Sequence, residues 1–339
     1  MKLRNKLISM MMVLALGLSI TACGKNASDA AASTEEKAKP AQEEKSGSEG
    51  KFPFTLTTQD DIEVTFTHVP ERVIAANANA GDQLMAMGLG DKIIGRAYTN
   101  SVINPEWNDE YLKIPELSET APSLEAILAQ EPDFIYGRSS AFSEKNNTEH
   151  ETLSGYDIMS LASIEGYTIG ADVDVVYEDF YNLGRIFDLE EKADEIVEEM
   201  KAQIEAAEKA VKDQETVKVF VYDMAQDGGA YTCGNNFTAK LIEHAGGKNI
   251  FSDMDKTWAN VSWEEVVERA PEVIVINNYG DTSLEQKISE LKENPALATV
   301  PAIVNDRIIS VNLCEVFASS MTGDTIEKFA KAFHPDCFE

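Results

Sequence analysis

Histidine, cysteine and positive charge are scarce in this chain. Its 339 residues include 4 His and 4 Cys, and 29 Lys and Arg stand against 59 Asp and Glu, which gives a formal net charge of -30. Cysteines and histidines this few and scattered exclude a disulfide scaffold and a zinc array. The negative charge excludes nucleic acid as a partner, because it repels the phosphate backbone. The hydrophobic share of 43% still allows folded cores, and the length allows two domains.

Long apolar runs are also missing, except at the N-terminus. There, basic residues precede an apolar stretch from Ile8 to Ile20, which is too short for a comfortable membrane span and typical of an export signal. The stretch leads into Thr21-Ala22-Cys23, a pattern typical of bacterial lipoproteins. We expect residues 1–22 to be a lipoprotein signal peptide and Cys23 to carry the lipid, on the extracytoplasmic face of the cell membrane. The alternative is an ordinary signal peptide with an incidental cysteine.

The segment after Cys23 lacks the residues that form a core. Residues 24–51 contain no aromatic side chain and no Val, Ile, Leu or Met. Such a composition cannot bury enough apolar surface to offset the entropy lost on ordering. We expect residues 23–51 to form the lipidated cysteine and a disordered tether, so that the folded part begins at residue 52.

The rest of the chain alternates between short apolar runs and helical patterns. Runs at 55–58 and 62–66 flank a polar turn and predict a hairpin. Further runs predict buried strands with helices between them. These strands are expected at 72–76, 92–97, 133–136, 167–170, 218–222, 273–277 and 307–311. The alternation favours an α/β fold with mainly parallel sheets.

A long amphipathic segment divides this alternation into two halves. Apolar residues recur at helical spacing from 190 to 212, and no Gly or Pro occurs from Asp188 to Gln214. A helix of about 25 residues is roughly 38 Å long and can cross from one lobe to another. The alternative is a surface helix of one lobe. We expect an N-terminal α/β lobe at 52–172, a linking helical segment at 173–215 and a C-terminal α/β lobe at 216–339.

One pattern occurs on both sides of the long helix. Residues 123–136 and 262–275 align without a gap, with Ser, Glu, Pro and Ile at matching positions. Each copy predicts a Ser N-cap, a short helix and a buried strand. The repeat therefore favours a two-lobed, pseudo-symmetric molecule.

Six motifs occur in order along the folded part. They are Val69-Pro-Glu-Arg-Val-Ile74, Ala86-Met-Gly-Leu-Gly-Asp-Lys-Ile-Ile-Gly95, Pro122-Ser-Leu-Glu-Ala-Ile-Leu-Ala-Gln-Glu-Pro-Asp133, Ala245-Gly-Gly-Lys-Asn-Ile-Phe251, Trp258-Ala-Asn-Val-Ser-Trp-Glu-Glu265 and Pro271-Glu-Val-Ile-Val-Ile276. With these motifs the chain resembles the substrate-binding proteins of bacterial ABC importers for iron–siderophore, haem and cobalamin, over roughly residues 52 to 335. The resemblance implies two Rossmann-like lobes joined by one long α-helix, with the ligand in the cleft between them. It also implies an ABC permease and its ATPase as partners of a monomer.

The resemblance further implies that one surface Glu on each lobe docks onto Arg residues of the permease. By motif these residues are Glu125 and Glu264, which occupy equivalent positions of the internal repeat. Two acidic knobs of this kind can steer docking onto a basic platform. The alternative is that both are first-turn acids that complement the helix dipole.

Candidate ligand-binding residues follow the predicted strands, because open α/β sheets bind ligands beyond the carboxyl ends of their strands. The segments nominated in this way are 77–79, 96–98, 138–142, 222–236 and 312–317, with Trp258 and Tyr279. The individual candidates are Asn77, Arg96, Tyr98, Arg138, Tyr222, Trp258 and Tyr279. Flat aromatic faces suit a conjugated ring or a catecholate, and the two arginines suit an anionic ligand group. The resemblance implies that Tyr98 and Trp258 contact the ligand.

Two departures from the family pattern weigh against cobalamin in particular. No Trp precedes Glu125 where the cobalamin binder has one, and residues 312–321 replace a stretch rich in Pro and Gly. A bare metal site is not expected, since the four histidines show no paired spacing. Cys233 and Cys314 fall in cleft-side loops, so both a bridge between them and free thiols stay open.

These observations predict a binding protein that is not an enzyme and has no cofactor. The expected ligand is an iron(III)–siderophore-type complex, and the alternatives on the same fold are a corrinoid or haem. An extracellular enzyme is the less favoured alternative, because the sequence has no G-x-S-x-G elbow and no P-loop.

Overall fold

The computed structural model describes residues 51–338. The predicted signal peptide, Cys23 and nearly all of the predicted tether lie outside the described residues. No helix within 51–338 is both long enough and apolar enough to cross a bilayer.

The strands fall into two parallel sheets, a hairpin and a small antiparallel sheet. In chain order they are β1 (Phe54–Thr57), β2 (Glu63–Phe66), β3 (Val73–Ala75), β4 (Ile93–Ala97), β5 (Glu116–Ser118), β6 (Phe134–Gly137), β7 (Met159–Ala162), β8 (Val217–Tyr222), β9 (Met224–Gln226), β10 (Gly229–Cys233), β11 (Gly247–Asn249), β12 (Trp258–Val261), β13 (Val273–Asn278) and β14 (Ile308–Asn312).

Helices connect most of these strands. They are α1 (Ala78–Ala86), α2 (Asn108–Tyr111), α3 (Leu124–Leu128), α4 (His150–Ser154), α5 (Val173–Phe187), α6 (Glu190–Val211), α7 (Phe237–His244), α8 (Trp263–Arg269), α9 (Leu284–Lys292), α10 (Pro301–Val304) and α11 (Thr322–Phe333).

The N-terminal lobe is built on a five-stranded parallel sheet in the order β5-β4-β3-β6-β7. Strands β3, β6 and β7 are buried along their whole length, which explains why they read as continuous apolar runs and not as alternating patterns. The chain moves from β3 toward one edge of the sheet, then returns to the other side of β3 for β6. The sheet therefore has a topological switch point between β3 and β6.

The C-terminal lobe repeats this plan with a four-stranded parallel sheet in the order β11-β8-β13-β14. Its switch point lies between β8 and β13. A three-stranded antiparallel sheet, β12-β10-β9, extends from the end of β8. The fold class predicted from the sequence, two α/β lobes with a long helix, is confirmed.

Helix α6 carries the apolar stripe that its spacing predicts. The buried side chains of α6 are Ala193, Val197, Met200, Ile204, Ala207 and Val211. This stripe packs against α5, which follows the N-terminal sheet, and against α11, the last α-helix of the C-terminal lobe. The predicted helix at 190–212 is confirmed, and it contacts elements of both lobes.

The internal repeat also forms as predicted. The Ser123 side chain accepts a hydrogen bond from the Ala126 N–H at 3.3 Å at the start of α3. The Ser262 side chain accepts one from the Glu265 N–H at 3.2 Å at the start of α8. Each helix then leads into a buried strand, β6 or β13.

The strand predicted at 167–170 is wrong. The corresponding strand is β7, which begins eight residues before the predicted strand and is buried along its whole length. Residues 167–170 form a turn in which Ile169 is 71% exposed and Gly170 has φ 68, a conformation that favours glycine. The short apolar run misled the prediction because periodicity cannot distinguish a buried strand from an apolar turn over four residues.

His244, at the end of α7, joins three helices through two carboxylates. Its Nε2 lies 2.7 Å from Oδ1 of Asp172, the N-cap of α5, and its Nδ1 lies 2.5 Å from Oε1 of Glu208 on α6. The hydrogen bond to Asp172 and, to a lesser extent, the one to Glu208 raise the pKa of His244 above its usual 6.5. The protonated imidazole therefore links the lobe elements that meet at α6.

We expect this link to stabilise the protein in a pH-dependent way. Because the pKa of His244 is raised in the folded state, its stabilisation is complete below about pH 6.5 and is lost as the pH rises through the folded-state pKa. Replacing His244→Gln should lower the free energy of unfolding by on the order of 1 kcal/mol at pH 6 and by much less at pH 9. Urea unfolding at both pH values measures this difference.

The matched control is His68→Gln, since His68 is an exposed histidine 3.6 Å from Asp133. This substitution should change the unfolding free energy little at either pH. An equal loss at pH 6 and pH 9 for His244→Gln would show that packing, and not charge, accounts for its contribution.

Candidate ligand-binding cleft

A cavity of about 270 Å³ lies between the carboxyl ends of the two parallel sheets. Residues that follow β3 and β6 line it from the N-terminal lobe, and residues that follow β8 and β13 line it from the other. The lining residues are Asn77, Ala78, Asn79, Tyr98, Asn100, Ser101, Arg138, Ser140, Asp223, Tyr231, Trp258, Tyr279, Leu313, Cys314 and Phe317. Both topological switch points therefore open into one cavity, which is where open α/β sheets bind ligands.

Two loops of the N-terminal lobe are joined at the floor of this cavity. Asn77 follows β3 and is the N-cap of α1, while Arg138 follows the neighbouring strand β6. The Asn77 Oδ1 accepts a hydrogen bond from the Arg138 N–H at 2.7 Å. Because Asn77 is only 5% exposed, this bond fixes the path of the loop that carries Arg138.

The Arg138 guanidinium is held on two sides. Its Nε and one NH2 donate to the two carboxylate oxygens of Glu165 at 3.1 and 3.0 Å, a bidentate pair. Glu165 follows β7, the strand next to β6, and its side chain is only 6% exposed. The guanidinium carbon also lies 3.8 Å from the centroid of the Phe317 ring, a cation–π contact with the C-terminal part of the chain.

Glu165 is itself positioned by a buried carboxyl on α5. Asp179 accepts hydrogen bonds from the Ser163 hydroxyl at 2.7 Å and from the Ile164 N–H at 3.0 Å. Burial raises the pKa of Asp179 to about 7, so this carboxyl is partly protonated near neutral pH. The turn that carries Glu165 is thus tied to the helix behind it.

On the C-terminal lobe, Asp223 organises the wall of the cavity. Its carboxylate accepts hydrogen bonds from the Asn277 Nδ2 at 2.8 Å and from the Tyr279 hydroxyl at 2.6 Å. The ammonium of Lys287 on α9 is buried behind it and donates to the carbonyls of Asp223 and Asn277 at 2.8 and 2.6 Å. Burial, and then the bond to Asp223, raise the pKa of Tyr279, so its phenol stays protonated.

Two aromatic rings form a stacked platform on the antiparallel sheet. Tyr231 on β10 and Trp258 on β12 have ring centroids 5.7 Å apart and planes inclined by 16°. They come together because Trp258 pairs with Cys233, two residues along β10 from Tyr231. Such a platform can stack on a flat ligand face.

Tyr98 closes the cavity from the N-terminal lobe. It follows β4 with φ 51, a left-handed conformation that residues other than glycine seldom adopt. Its N–H donates to the Ser118 carbonyl at 2.9 Å, which holds this conformation in place.

The segment Leu313–Met321 crosses from the C-terminal sheet to the N-terminal lobe. The Ala318 carbonyl accepts hydrogen bonds from the side chains of Asn79 and Gln83 on α1 at 3.3 and 3.1 Å. The Ser320 N–H donates to Oδ2 of Asp82 at 2.7 Å. The two lobes are therefore hydrogen-bonded to each other along one side of the cavity.

Five of the candidate residues inferred from the sequence line the cavity and two do not. Asn77, Tyr98, Arg138, Trp258 and Tyr279 lie at its wall. Lining the cavity does not by itself show that these residues contact a ligand, so ligand contact stays a prediction.

Arg96 and Tyr222 lie elsewhere because both still belong to strands. Arg96 is 9% exposed and points to the neighbouring strand, where it donates to the Ile114 carbonyl at 3.0 Å and pairs with Glu116 at 3.2 Å. Tyr222 is the buried last residue of β8, and its hydroxyl donates to Glu290 at 2.7 Å. The next residue, Asp223, reaches the cavity instead.

Most of the lining residues that the candidates omitted lie inside or beside the nominated segments. Asp223 and Tyr231 fall within 222–236, and Phe317 ends the segment 312–317. Glu165, which binds Arg138 from behind the wall, lies outside every nominated segment. The sequence could have indicated Glu165, because it follows the strand next to β6. The prediction placed that strand at 167–170, after Glu165, and so did not nominate it.

Of the remaining predicted residues, Cys314 lines the cavity, whereas Glu125, Glu264 and Cys233 do not. Glu125 and Glu264 are exposed in the first turns of α3 and α8, the equivalent helices of the repeat. Cys233 and Cys314 are buried and free, and burial raises the pKa of the Cys314 thiol at the cavity wall. Within residues 51–338, no three His, Cys, Asp or Glu side chains converge on a metal position.

Known proteins are similar to this chain in sequence and in architecture. The chain is 21% identical over 294 residues to the uncharacterized ABC transporter substrate-binding lipoprotein YvrC of Bacillus subtilis (strain 168), which covers 85% of this chain and 88% of that protein. It is 23% identical over 299 residues to a cobalamin-binding protein of Halobacterium salinarum (strain ATCC 29341 / DSM 671 / R1), covering 87% of this chain and 78% of that protein.

Two crystal structures superpose on most of the chain. A periplasmic binding protein from Veillonella parvula gives a TM-score of 0.76 at 27% identity, with 83% of this chain and 97% of that chain covered. An ABC-type Fe3+-hydroxamate transport system from Saccharomonospora viridis gives a TM-score of 0.69 at 27% identity, with 84% and 99% covered. The sequence pattern that defines periplasmic binding proteins matches residues 73–312, and the chain belongs to the periplasmic binding protein family.

Proposed function

We propose that this protein is the extracytoplasmic substrate-binding component of an ABC importer and that it captures an iron(III)–siderophore-type complex in the inter-lobe cleft. The observation that carries the proposal is the single cavity onto which both topological switch points open, lined by the aromatic side chains of Tyr98, Tyr231, Trp258, Tyr279 and Phe317. The permease and its ATPase would then receive the ligand. The lobe borders at 52–172 and 216–339, with a linking segment at 173–215, belong to the same proposal.

The size and shape of the cleft favour a compact chelate. The cavity continues past Asn100, Ser101 and Tyr279 into a groove of about 380 Å³, so that a ligand can extend out of the enclosed part. Similar proteins are described as an ABC-type Fe3+-hydroxamate transport system and as a cobalamin-binding protein. A corrinoid is the second candidate; it is larger and would leave more of its surface outside the cavity. Haem is the third, since the Tyr231–Trp258 platform suits a flat macrocycle.

A binding role without catalysis agrees with the chemistry of the wall. Of the described lining residues, the charged ones are already engaged, Arg138 by Glu165 and Asp223 by Asn277 and Tyr279. Such groups orient a ligand but leave no activated nucleophile next to a base.

Fluorescence of Trp258 tests the proposed cleft. A variant with Trp107→Phe and Trp263→Phe keeps Trp258 as the single tryptophan, and we expect its emission to be quenched when a ferric siderophore, a corrinoid or haem is titrated. The ligand should be recovered chemically unchanged after prolonged incubation. Trp258→Phe in the otherwise unchanged protein should lose most of the quenching. If no such ligand changes the emission or raises the melting temperature, the proposed function is wrong.

We propose that Glu125 and Glu264 dock onto the permease and do not bind the ligand. Both are exposed, one on each lobe, at matching positions of the repeat. Reversing both charges with Glu125→Lys and Glu264→Lys should abolish ligand uptake into cells while the solution affinity changes by less than about 2-fold, because rim charges act on docking.

The matched control for docking is the pair Glu151→Lys and Glu285→Lys. These residues are also exposed first-turn acids, one on each lobe. Uptake should survive in this control, since loss of a helix-dipole interaction costs only about 0.3–1 kcal/mol per residue. If the control variant also lost uptake, the effect would be one of general surface charge, and a specific docking role for Glu125 and Glu264 would be contradicted.

We also propose that Cys23 is lipidated and that it tethers the protein to the outer surface of the cytoplasmic membrane. The support is the apolar stretch that leads into Thr21-Ala22-Cys23. Cys23→Ala should release the protein from the membrane fraction and prevent labelling by a palmitate analogue, whereas Cys337→Ala should do neither. Membrane-attached, labelled Cys23→Ala protein would contradict the anchor.

A further inference from the structure

The charges at the cavity wall are balanced within the protein. Among the described residues that line the cavity, Arg138 carries the one positive charge and Asp223 the one negative charge. The rest of the lining is aromatic, aliphatic or uncharged and polar. The ligand therefore meets a charged group only where that group already has a partner.

The charge of Arg138 is paired with a buried carboxylate. Glu165 accepts hydrogen bonds from the Arg138 Nε and from one of its terminal nitrogens at 3.1 and 3.0 Å, and the guanidinium carbon lies 3.8 Å from the centroid of the Phe317 ring. Glu165 is buried, so that pulling Arg138 toward a ligand anion would leave a carboxylate without a counter-ion in a low-dielectric site. The Arg138–Glu165 ion pair as a whole thus brings no net positive charge to the cleft.

Asp223 has a buried cation behind it, but this cation hydrogen-bonds to main-chain carbonyls and not to the carboxylate. The buried Lys287 ammonium lies behind it and reaches the Asp223 and Asn277 carbonyls. Lys287 is 2% exposed and does not line the cavity, so it cannot turn toward a ligand. The carboxylate of Asp223, by contrast, lies at the wall, and it would repel an anion placed against Tyr279.

We infer that this cleft selects metal chelates that carry no net negative charge, and that Glu165 sets this preference by neutralising Arg138. The inference rests on the proposed function, since it concerns the ligand of the same cleft. The favoured ligands share an uncharged rim of carbonyl and amide groups, which the side chains of Asn100 and Ser140 at the cavity wall can meet with hydrogen bonds. A ferric hydroxamate and a corrinoid both have such a rim.

Anionic chelates lack a partner in this cleft. Three catecholates on iron(III) leave the complex negatively charged, and haem carries two propionates. Burying such groups without a free cation is unfavourable, and the chain as a whole carries a net charge of -30, which opposes the approach of anions. Among the described residues, no arginine or lysine other than Arg138 lines the cavity.

The wild-type protein gives the first test. Ferrichrome, cyanocobalamin, ferric enterobactin and haemin are titrated at one ionic strength, with Trp258 emission and calorimetry as readouts. We expect ferrichrome or cyanocobalamin to bind at least about 100-fold more tightly than ferric enterobactin and haemin, the size of effect that an unmatched charge produces. Tight ferrichrome binding identifies a siderophore ligand, and tight cyanocobalamin binding identifies a corrinoid.

The second test removes the carboxylate that is paired with Arg138. Glu165→Gln should raise the affinity for ferric enterobactin or haemin by about 10-fold or more and change that for the uncharged chelates by less than about 3-fold. Arg138→Gln added to this variant should remove the gain. The matched control is Glu116→Gln, which frees Arg96 on the same lobe but outside the cavity, and it should leave all four affinities unchanged. Circular dichroism checks that each variant is folded.

The outcomes separate this inference from the proposed function. Tighter binding of ferric enterobactin or haemin by the wild-type protein overturns the charge preference and leaves the importer function intact. An unchanged ranking in folded Glu165→Gln overturns the role of Glu165. If none of the four chelates binds, the proposed function fails and the inference fails with it.

Discussion

Burial of the apolar stripe of α6 is the interaction on which the two-lobed arrangement depends. The stripe packs against α5 on the side of the N-terminal sheet and against α11 on the side of the C-terminal sheet. Each fully buried Val, Ile or Met side chain in it contributes about 1.5–3 kcal/mol, so the helix cannot leave either lobe cheaply. Since α6 contains no Gly or Pro at which it could kink, it acts as a stiff connection between the sheets.

A second connection fixes the cleft from its other side. The segment Leu313–Met321 is bound to α1 through the Ala318 carbonyl and through Asp82, which also accepts hydrogen bonds from the Asn104 N–H at 3.0 Å and the Trp107 Nε1 at 3.2 Å. Burial raises the pKa of Asp82, and these three N–H groups compensate its charge only in this arrangement. Opening the cleft would leave that carboxyl without one of its donors. We therefore expect recognition in this protein to rely on a preformed cavity, which suits rigid ligands.

The repeat explains why the cavity lies where it does. Each lobe places a buried parallel strand on both sides of a switch point, and each places polar residues directly after those strands. When the two sheets face one another, Asn77 and Arg138 from one lobe meet Asp223 and Tyr279 from the other. The exposed acids Glu125 and Glu264 sit on the helices that precede β6 and β13, so the same symmetry that builds the cleft also places one acid on each lobe.

The sequence by itself determined the fold class, the long helix and the loops that form the cleft. Apolar periodicity over the length of α6 is unambiguous, and the strands at 218–222 and 273–277 are found within a residue of β8 and β13. Five of the seven ligand-site candidates line the cavity, because the rule that ligands bind beyond the strand ends needs only the strand positions. Local pattern was not enough for the other two candidates, because Arg96 is held in the sheet by Glu116, and a shift of one residue separates the buried Tyr222 from Asp223.

Only the tertiary structure determined which charged side chains are paired with an opposite charge. Arg138 looks like an anion-binding arginine in the sequence, but Glu165, 27 residues away, neutralises it, because strands β6 and β7 are neighbours in the sheet and their following loops therefore meet.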